Sequence, residues 1–186
     1  MERTFIMIKP DAMKRNLTGE ILKRYQNAGL KIVAMKMIRP DRKLVEIHYP
    51  DTDAQVVGMG KKTLQASIDA GKPENVMKIF GAEEPRKIGL ILREWSIKFI
   101  LAPIIVMVLE GEGAIQRVRK ITGFTDPSKA DKGTIRGDLG VDSIERANSE
   151  QRATENLVHA SGSEEEAKKE INLWFKEEEI MEYGGE

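Results

Sequence analysis

Three short runs of almost uninterrupted apolar residues frame this chain: TFIMIK at 4–9, LKIVAMKM at 30–37 and IIVMVL at 104–109. They are too short for core helices and rich in β-branched residues, so they read as strands, the first and third covered on both faces. Between the first two, Ile21, Leu22, Tyr25 and Ala28 share one helical stripe, with Thr18 as its cap and Gly29 as its stop. After the third, Ala114, Ile115, Val118 and Ile121 form another stripe, closed by Gly123. TIRGD at 134–138 reads as a fourth, short strand. The order β-α-β, insertion, β-α-β, terminal helix predicts an α+β fold: a ferredoxin-like βαββαβ antiparallel sheet with helices packed on one face.

Two stretches stand outside that pattern. From about 51 to 101 the chain breaks into helical pieces at 62–70, at 73–80 and from Pro85, the last with a stripe of Ile88, Ile91, Leu92, Trp95 and Phe99. Residues 139–155 are polar and read as a smaller helical insertion. At 186 residues and 20.9 kDa the chain is read as one domain, 1–186, carrying both insertions. Gly184 and Gly185 read as a frayed tail.

The stretch NLVHASGSEEEAKKEINLWF at 156–175 is the densest in chemistry. Ser163 and Glu166 have the spacing of a capping box, which starts a helix at Ser163. Ala167, Ile171, Trp174 and Phe175 give that helix an apolar stripe. Glu170 lies at the edge of the stripe, where its carboxylate can turn inward and hold an imidazole. His159, one of only two histidines, stands just upstream. An acid that orients a ring nitrogen is the arrangement of an activated nucleophile or base. An isolated histidine is more often merely hydrogen-bonded in a loop, so the reading leans on the rest of the chain.

Thirty Lys and Arg balance thirty Asp and Glu, which removes any global attraction to nucleic acid or acidic membrane. The positive charge is local. Arg117, Arg119, Lys120, Lys129, Lys132 and Arg136 face only Asp126 and Asp131 over residues 117–136. Guanidinium forks and hydroxyls such as that of Thr125 suit a polyphosphate. Lys9, at a strand end and followed by Pro10 and Asp11, is well placed to meet an anion. GMGKKT at 58–63 misses the P-loop pattern, because Gln55 stands where Gly is needed and Lys62 where Ser or Thr is needed; it reads as a turn before a helix.

Cysteine is absent, which excludes disulfides and thiolate metal sites. MERTFIMIKPDA lacks the apolar segment of a secretory signal. The longest apolar run, 99–109, is broken by Pro103 and falls short of the roughly 20 residues that span a bilayer. A soluble, cytoplasmic protein is expected.

Taken in order, TFIMIKPDA, GEILKRYQNAGLKIVAMKM, HYP at 48–50, GFTDP, KGTIRGD and NLVHASGSEEEAKKEINLWF resemble nucleoside diphosphate kinase over about two thirds of the chain. The longer 51–101 and 139–155 segments resemble the archaeal-type variants of that family. The resemblance implies a ping-pong phosphotransferase: a nucleoside triphosphate gives its γ-phosphate to a histidine, which passes it to a nucleoside diphosphate. It makes His159 the nucleophile, with Ser161 and Glu170 supporting it and Tyr49 near the ring. Lys9, Arg119, Thr125, Arg136 and Asn156 become the phosphate- and ribose-contacting residues. It further implies Mg²⁺ held by the nucleotide phosphates with few or no dedicated protein ligands, no membrane or specific nucleic-acid partner, and a homo-oligomer, commonly a hexamer.

Where the family has His-Gly-Ser-Asp, this chain has His159-Ala160-Ser161-Gly162, and no phenylalanine stands near Val57 and Leu64 to stack on a base. A non-catalytic nucleotide-binding regulator is the alternative on the same fold. An RNA-recognition module would need aromatics on its central strands, and IIVMVL has none.

Overall fold

In the computed structural model, which describes residues 1–183, the elements run in chain order as follows. Strand β1 (Glu2–Ile8) leads into helices α1 (Pro10–Lys14) and α2 (Thr18–Asn27), and then strand β2 (Lys31–Ile38). Four helices follow: α3 (Arg42–His48), α4 (Asp53–Asp69), α5 (Glu74–Phe80) and α6 (Pro85–Ile100). Strand β3 (Ile104–Gly111), helices α7 (Ala114–Thr122), α8 (Ile135–Leu139) and α9 (Ile144–Ser149), strand β4 (Val158–Ala160) and helix α10 (Glu164–Trp174) complete the chain. Gly184 and Gly185, read above as a tail, lie outside the described residues. The chain divides into two units: residues 1–39, 102–141 and 156 onward make the first, and 40–101 with 142–155 the second.

The first unit is built on a four-stranded antiparallel sheet in the order β2-β3-β1-β4. Side chains alternate across a strand, so Ile6 and Ile8 of β1 go to one face. There they join Met107 and Leu109 of β3, Ile21 and Tyr25 of α2, and Ala114 and Val118 of α7 in one buried cluster. Burying each large side chain contributes roughly 2 kcal/mol. The Tyr25 hydroxyl shares a 2.7 Å hydrogen bond with Thr122 Oγ1, which itself donates to the Val118 carbonyl. Tyr25 is therefore the donor. On the other face, the Phe5 ring stacks on Trp174 of α10 at 5.8 Å and 23°. Helices cover both faces of the sheet, not the one expected.

Two further expectations fail for local reasons. TIRGD is helix α8 instead of a strand, because the Thr134 hydroxyl accepts from the Gly137 N–H at 3.0 Å and caps the turn. The fourth strand is instead β4, with Met7 opposite His159. Thr18 is the first helical residue of α2; the cap position is Leu17, which offers no side-chain acceptor.

The second unit is helical. Asp41 caps α3 through a 2.8 Å bond from the Leu44 N–H. Helix α4 begins at Asp53, not near Lys62, so GMGKKT lies inside a helix instead of in a turn. Its glycine is there for contact. A Cβ on Gly60 would lie 1.9 Å from the Pro85 carbonyl oxygen, and one on Gly89 of α6 would lie 1.8 Å from that of Val56. Two helix backbones thus press together, each with a glycine under the other. Val76, Phe80 and Ile88 form the core beside them, with Phe80 against Trp95 at 5.5 Å.

Candidate active site

The register of β4 decides where His159 points. It pairs with Met7, and paired residues of an antiparallel sheet share a face. The imidazole thus lies on the side of Phe5, whose ring centroid is 6.0 Å away, and of α10. Ser163 caps α10, accepting from the Glu166 N–H at 3.2 Å. The Glu166 carboxylate reaches one residue further back than a capping box requires and accepts from the Gly162 N–H at 2.7 Å. With its start fixed, α10 places Glu170 and Trp174, four residues apart, on the same buried face.

Glu170 Oε1 lies 2.6 Å from His159 Nε2, and Oε2 accepts from the Ser161 hydroxyl at 2.5 Å. Ser161 Oγ is also 3.4 Å from the Phe5 carbonyl, but the single hydroxyl proton belongs to the shorter, charge-assisted bond. A carboxylate only accepts, so the ring donates from Nε2 and carries its lone pair on Nδ1. His159 is half-buried while Glu170 and Ser161 are buried.

A second group is organised by the turn before β4. Leu157 has φ +69°, a left-handed conformation rare for leucine, and the Val158 N–H bonds back to the Asn156 carbonyl at 2.8 Å. Such a turn costs about 1 to 3 kcal/mol and persists only where its surroundings hold it. Here the Leu157 N–H donates to Asp11 Oδ2 and its carbonyl accepts from the Lys9 N–H, each at 2.9 Å.

Around that turn the predicted residues converge. Asn156 Oδ1 accepts from Lys9 Nζ at 2.8 Å, and its amide donates to the Thr125 carbonyl at 2.9 Å. Arg136, buried, donates to the carbonyls of Asn156 (3.0 Å), Gly123 (3.0 Å) and Val158 (2.6 Å). Three of the five guanidinium donors are committed to backbone, so Arg136 is as much a clamp on the turn as a cation. Burial pushes its pKa down to about 10, which leaves it charged at neutral pH. Burial, and then the neighbouring Arg136, push the Lys9 ammonium down to about 8, against the attraction of Asp11.

Arg119, exposed on the last turn of α7, reaches the His159 loop: a Cβ on Gly162 would lie 3.4 Å from its Nη1. Arg117 of the same basic cluster does not join it, donating instead to the carbonyls of Ala28 and Glu112. Thr125 is exposed beside Asp126. Tyr49 belongs to the second unit, where it follows α3 with its ring edge-on to His48 at 4.7 Å and its carbonyl taking a bond from Arg93.

The sequence reading missed Asp11 and Leu157; it named Glu166 as a capping partner of Ser163, and the structure has it accept from Gly162 instead. Asp11 had a faint signal in the Pro-Asp that follows Lys9. Leu157 had none, since nothing in a leucine announces a left-handed backbone.

A family model described as nucleoside diphosphate kinase matches residues 2–58 and 93–180. The nucleoside diphosphate kinase of Pyrobaculum aerophilum is 42% identical over 183 residues, 98% of this chain and 99% of the relative. That of Pyrococcus furiosus is also 42% identical over 183 residues, 98% of this chain and 88% of its own length. Among solved structures, an NDP kinase from Pyrobaculum aerophilum superposes with a TM-score of 0.92 at 41% identity, covering 97% of this chain and 99% of that one. A transition-state mimic of nucleoside-diphosphate kinase from Borrelia burgdorferi, with bound vanadate and ADP, gives 0.76 at 32% identity over 99% of this chain and 92% of that one. Sequence and architecture agree over almost the whole length: the chain belongs to the nucleoside diphosphate kinase family.

Proposed function

We propose that this protein transfers the γ-phosphate of a nucleoside triphosphate to a nucleoside diphosphate through a phosphohistidine at His159. The observation that carries this reading is the 2.6 Å contact of His159 Nε2 with Glu170, itself held by Ser161. It fixes the lone pair on Nδ1. In the first half-reaction Nδ1 attacks the γ-phosphorus, an N–P bond forms, and the bond to the β,γ-bridging oxygen breaks as the diphosphate leaves. The Nε2 proton stays shared with Glu170, which balances the charge of the phosphorylated ring. In the second half-reaction a terminal oxygen of another diphosphate displaces the histidine.

Such a transfer asks mainly for position and for neutralisation of spreading negative charge. Lys9, Arg119 and the donors that Arg136 has left over supply the charge. Thr125 and Asn156 add contacts to phosphate and ribose. Both Glu170 oxygens are engaged in hydrogen bonds, so Mg²⁺ enters as part of the substrate, on the nucleotide phosphates. The chain works as one kinase domain, 1–186, carrying helical insertions at about 51–101 and 139–155, in a cytoplasmic homo-oligomer of hexameric type. Among the described residues no helix is long and apolar enough to cross a membrane.

The test is incubation with γ-labelled ATP followed by a GDP chase. Wild type should take up acid-labile, base-stable label and surrender it to GDP; His159→Ala should do neither. Turnover by that variant would end the proposal, and wild type that binds nucleotide without taking label would point to a regulator instead.

A further inference from the structure

We propose, on the reading of His159 as phosphoryl acceptor, that Asp11 is a positioning residue for the reaction: it holds the left-handed turn at Leu157 and sets its charge against Lys9 and Arg136. Asp11 follows Pro10, whose ring suits the first position of α1 because no N–H is needed there. Its side chain turns inward and is only 4% exposed. Oδ2 takes the Leu157 N–H, while Oδ1 is buried with no hydrogen-bond partner. An unsatisfied oxygen on a buried carboxylate is costly and would not persist for the turn alone, since a neutral asparagine could accept the same N–H.

What the negative charge adds is a counter to crowded cations. Lys9 lies on the strand end before α1 and bonds Asn156; Arg136 from α8 clamps both sides of the Leu157 turn. Arg119 from α7 and the Tyr25 phenol from α2 are the other ionisable groups acting on Arg136. Among the charged groups acting on Lys9 and Arg136, Asp11 is the acid. Removing it leaves two or three positive charges to hold one another off until a phosphate arrives. Losing its hydrogen bond frees Leu157 to leave φ +69°, and Asn156 then shifts relative to His159.

The experiment compares wild type, Asp11→Asn, Asp11→Ala and Lys9→Arg by saturating label uptake from γ-labelled ATP and by the pH profile of kcat/KM, which reports groups of the free enzyme. Asp11→Asn keeps an acceptor for Leu157. It should take up the full complement of label at saturation, with the basic limb of its profile moved down by about one pH unit. Lys9→Arg should lose that limb, whatever its rate. Asp11→Ala should show the same displacement plus a lower rate at every pH. An Asp11→Asn limb coincident with wild type, or a limb that survives in Lys9→Arg, overturns the electrostatic role. Identical behaviour of Asn and Ala overturns the hold on the turn. Wild type that takes no label defeats the kinase reading itself, which separates that failure from those of Asp11.

Discussion

In the first unit polar groups are drawn inside and tied to named partners: Glu170 to His159 and Ser161, Asn156 to Lys9 and Thr125, Arg136 to three carbonyls. The second unit leans the other way. The backbones of α4 and α6 approach closely at Gly60 and Gly89, and most of its ion pairs, such as Arg42 with Glu94 and Arg86 with Asp53, are on the outside, while Asp142, paired with Arg152, is a buried exception. The family model runs through all of the first unit's strands yet passes over 59–92, the stretch holding most of α4, all of α5 and half of α6. A site is specified atom by atom. A packed helical cluster asks mainly for shape, and many sequences supply that.

The strongest test of this contrast is at Gly89. Valine there would drive its side chain into the Val56 carbonyl, and overpacking against backbone is not relieved by a rotamer change; a loss of about 3 kcal/mol is expected. Each unit carries one tryptophan, Trp95 in the second and Trp174 in the first. Denaturant curves of Gly89→Val in Trp174→Phe and Trp95→Phe backgrounds should show the Trp95 signal moving further than the Trp174 signal. Coincident shifts would mean the two units melt as one, and the contrast would be of composition only.

Next in size is Glu170. Alanine removes the acceptor that fixes the His159 ring, and a misaimed nucleophile costs about 100-fold in the rate of phosphohistidine formation. Glutamine retains a carbonyl for Nε2–H and can donate to Ser161 Oγ, so it should lose much less. Equal losses for both would make the charge of Glu170, not its geometry, the important property.

How much of this could be read beforehand divides along the same line. Ser163 and Glu170 were legible because helix spacing fixes which side chains face the same way, while His159, on a strand, gained its role from the rest of the chain. Lys9, Thr125, Arg119 and Arg136 were picked out by their charge or hydroxyl and, with Asn156, given roles by resemblance; the structure gathers Lys9, Asn156, Arg136 and the Thr125 carbonyl around one turn and sets Arg119 at the His159 loop. The left-handed Leu157 was invisible, since tertiary hydrogen bonds hold it: its N–H donates to Asp11, its carbonyl accepts from the Lys9 N–H, and Arg136 donates to the carbonyls on either side. TIRGD was mistaken for a strand because its buried Ile135 looks the same in either setting and the Thr134 cap outweighs β-propensity. GMGKKT was mistaken for a turn because glycine marks both turns and close helix crossings.

A smaller effect, with opposite signs on binding and folding, is expected at Lys9. Its folded pKa of about 8 lies below the ordinary 10.5. Between those values the unfolded chain holds more protons, so the stability of wild type relative to Lys9→Met should rise with pH across that window. Nucleotide affinity should fall over the same range, by about tenfold, as a charged donor to phosphate is lost. Titration of a non-hydrolysable nucleotide at pH 7 and 9.5 checks the second trend and melting curves the first. Parallel trends would remove Lys9 from the phosphate site.

The smallest effect belongs to the exposed ion pairs of the second unit. Arg86 Nε lies 2.8 Å from Asp53 Oδ1, and the side chains are 44% and 76% exposed. Water competes for both partners, salt screens them, and fixing two mobile side chains offsets most of the attraction. Arg86→Ala should therefore leave the melting temperature unmoved within error at both low and high salt, although a 2.8 Å bond is as short as several in the active site. Were it to destabilise the chain as much as Gly89→Val, the second unit would be held by charge after all, and the distinction between a unit specified by polar contacts and one specified by shape would collapse.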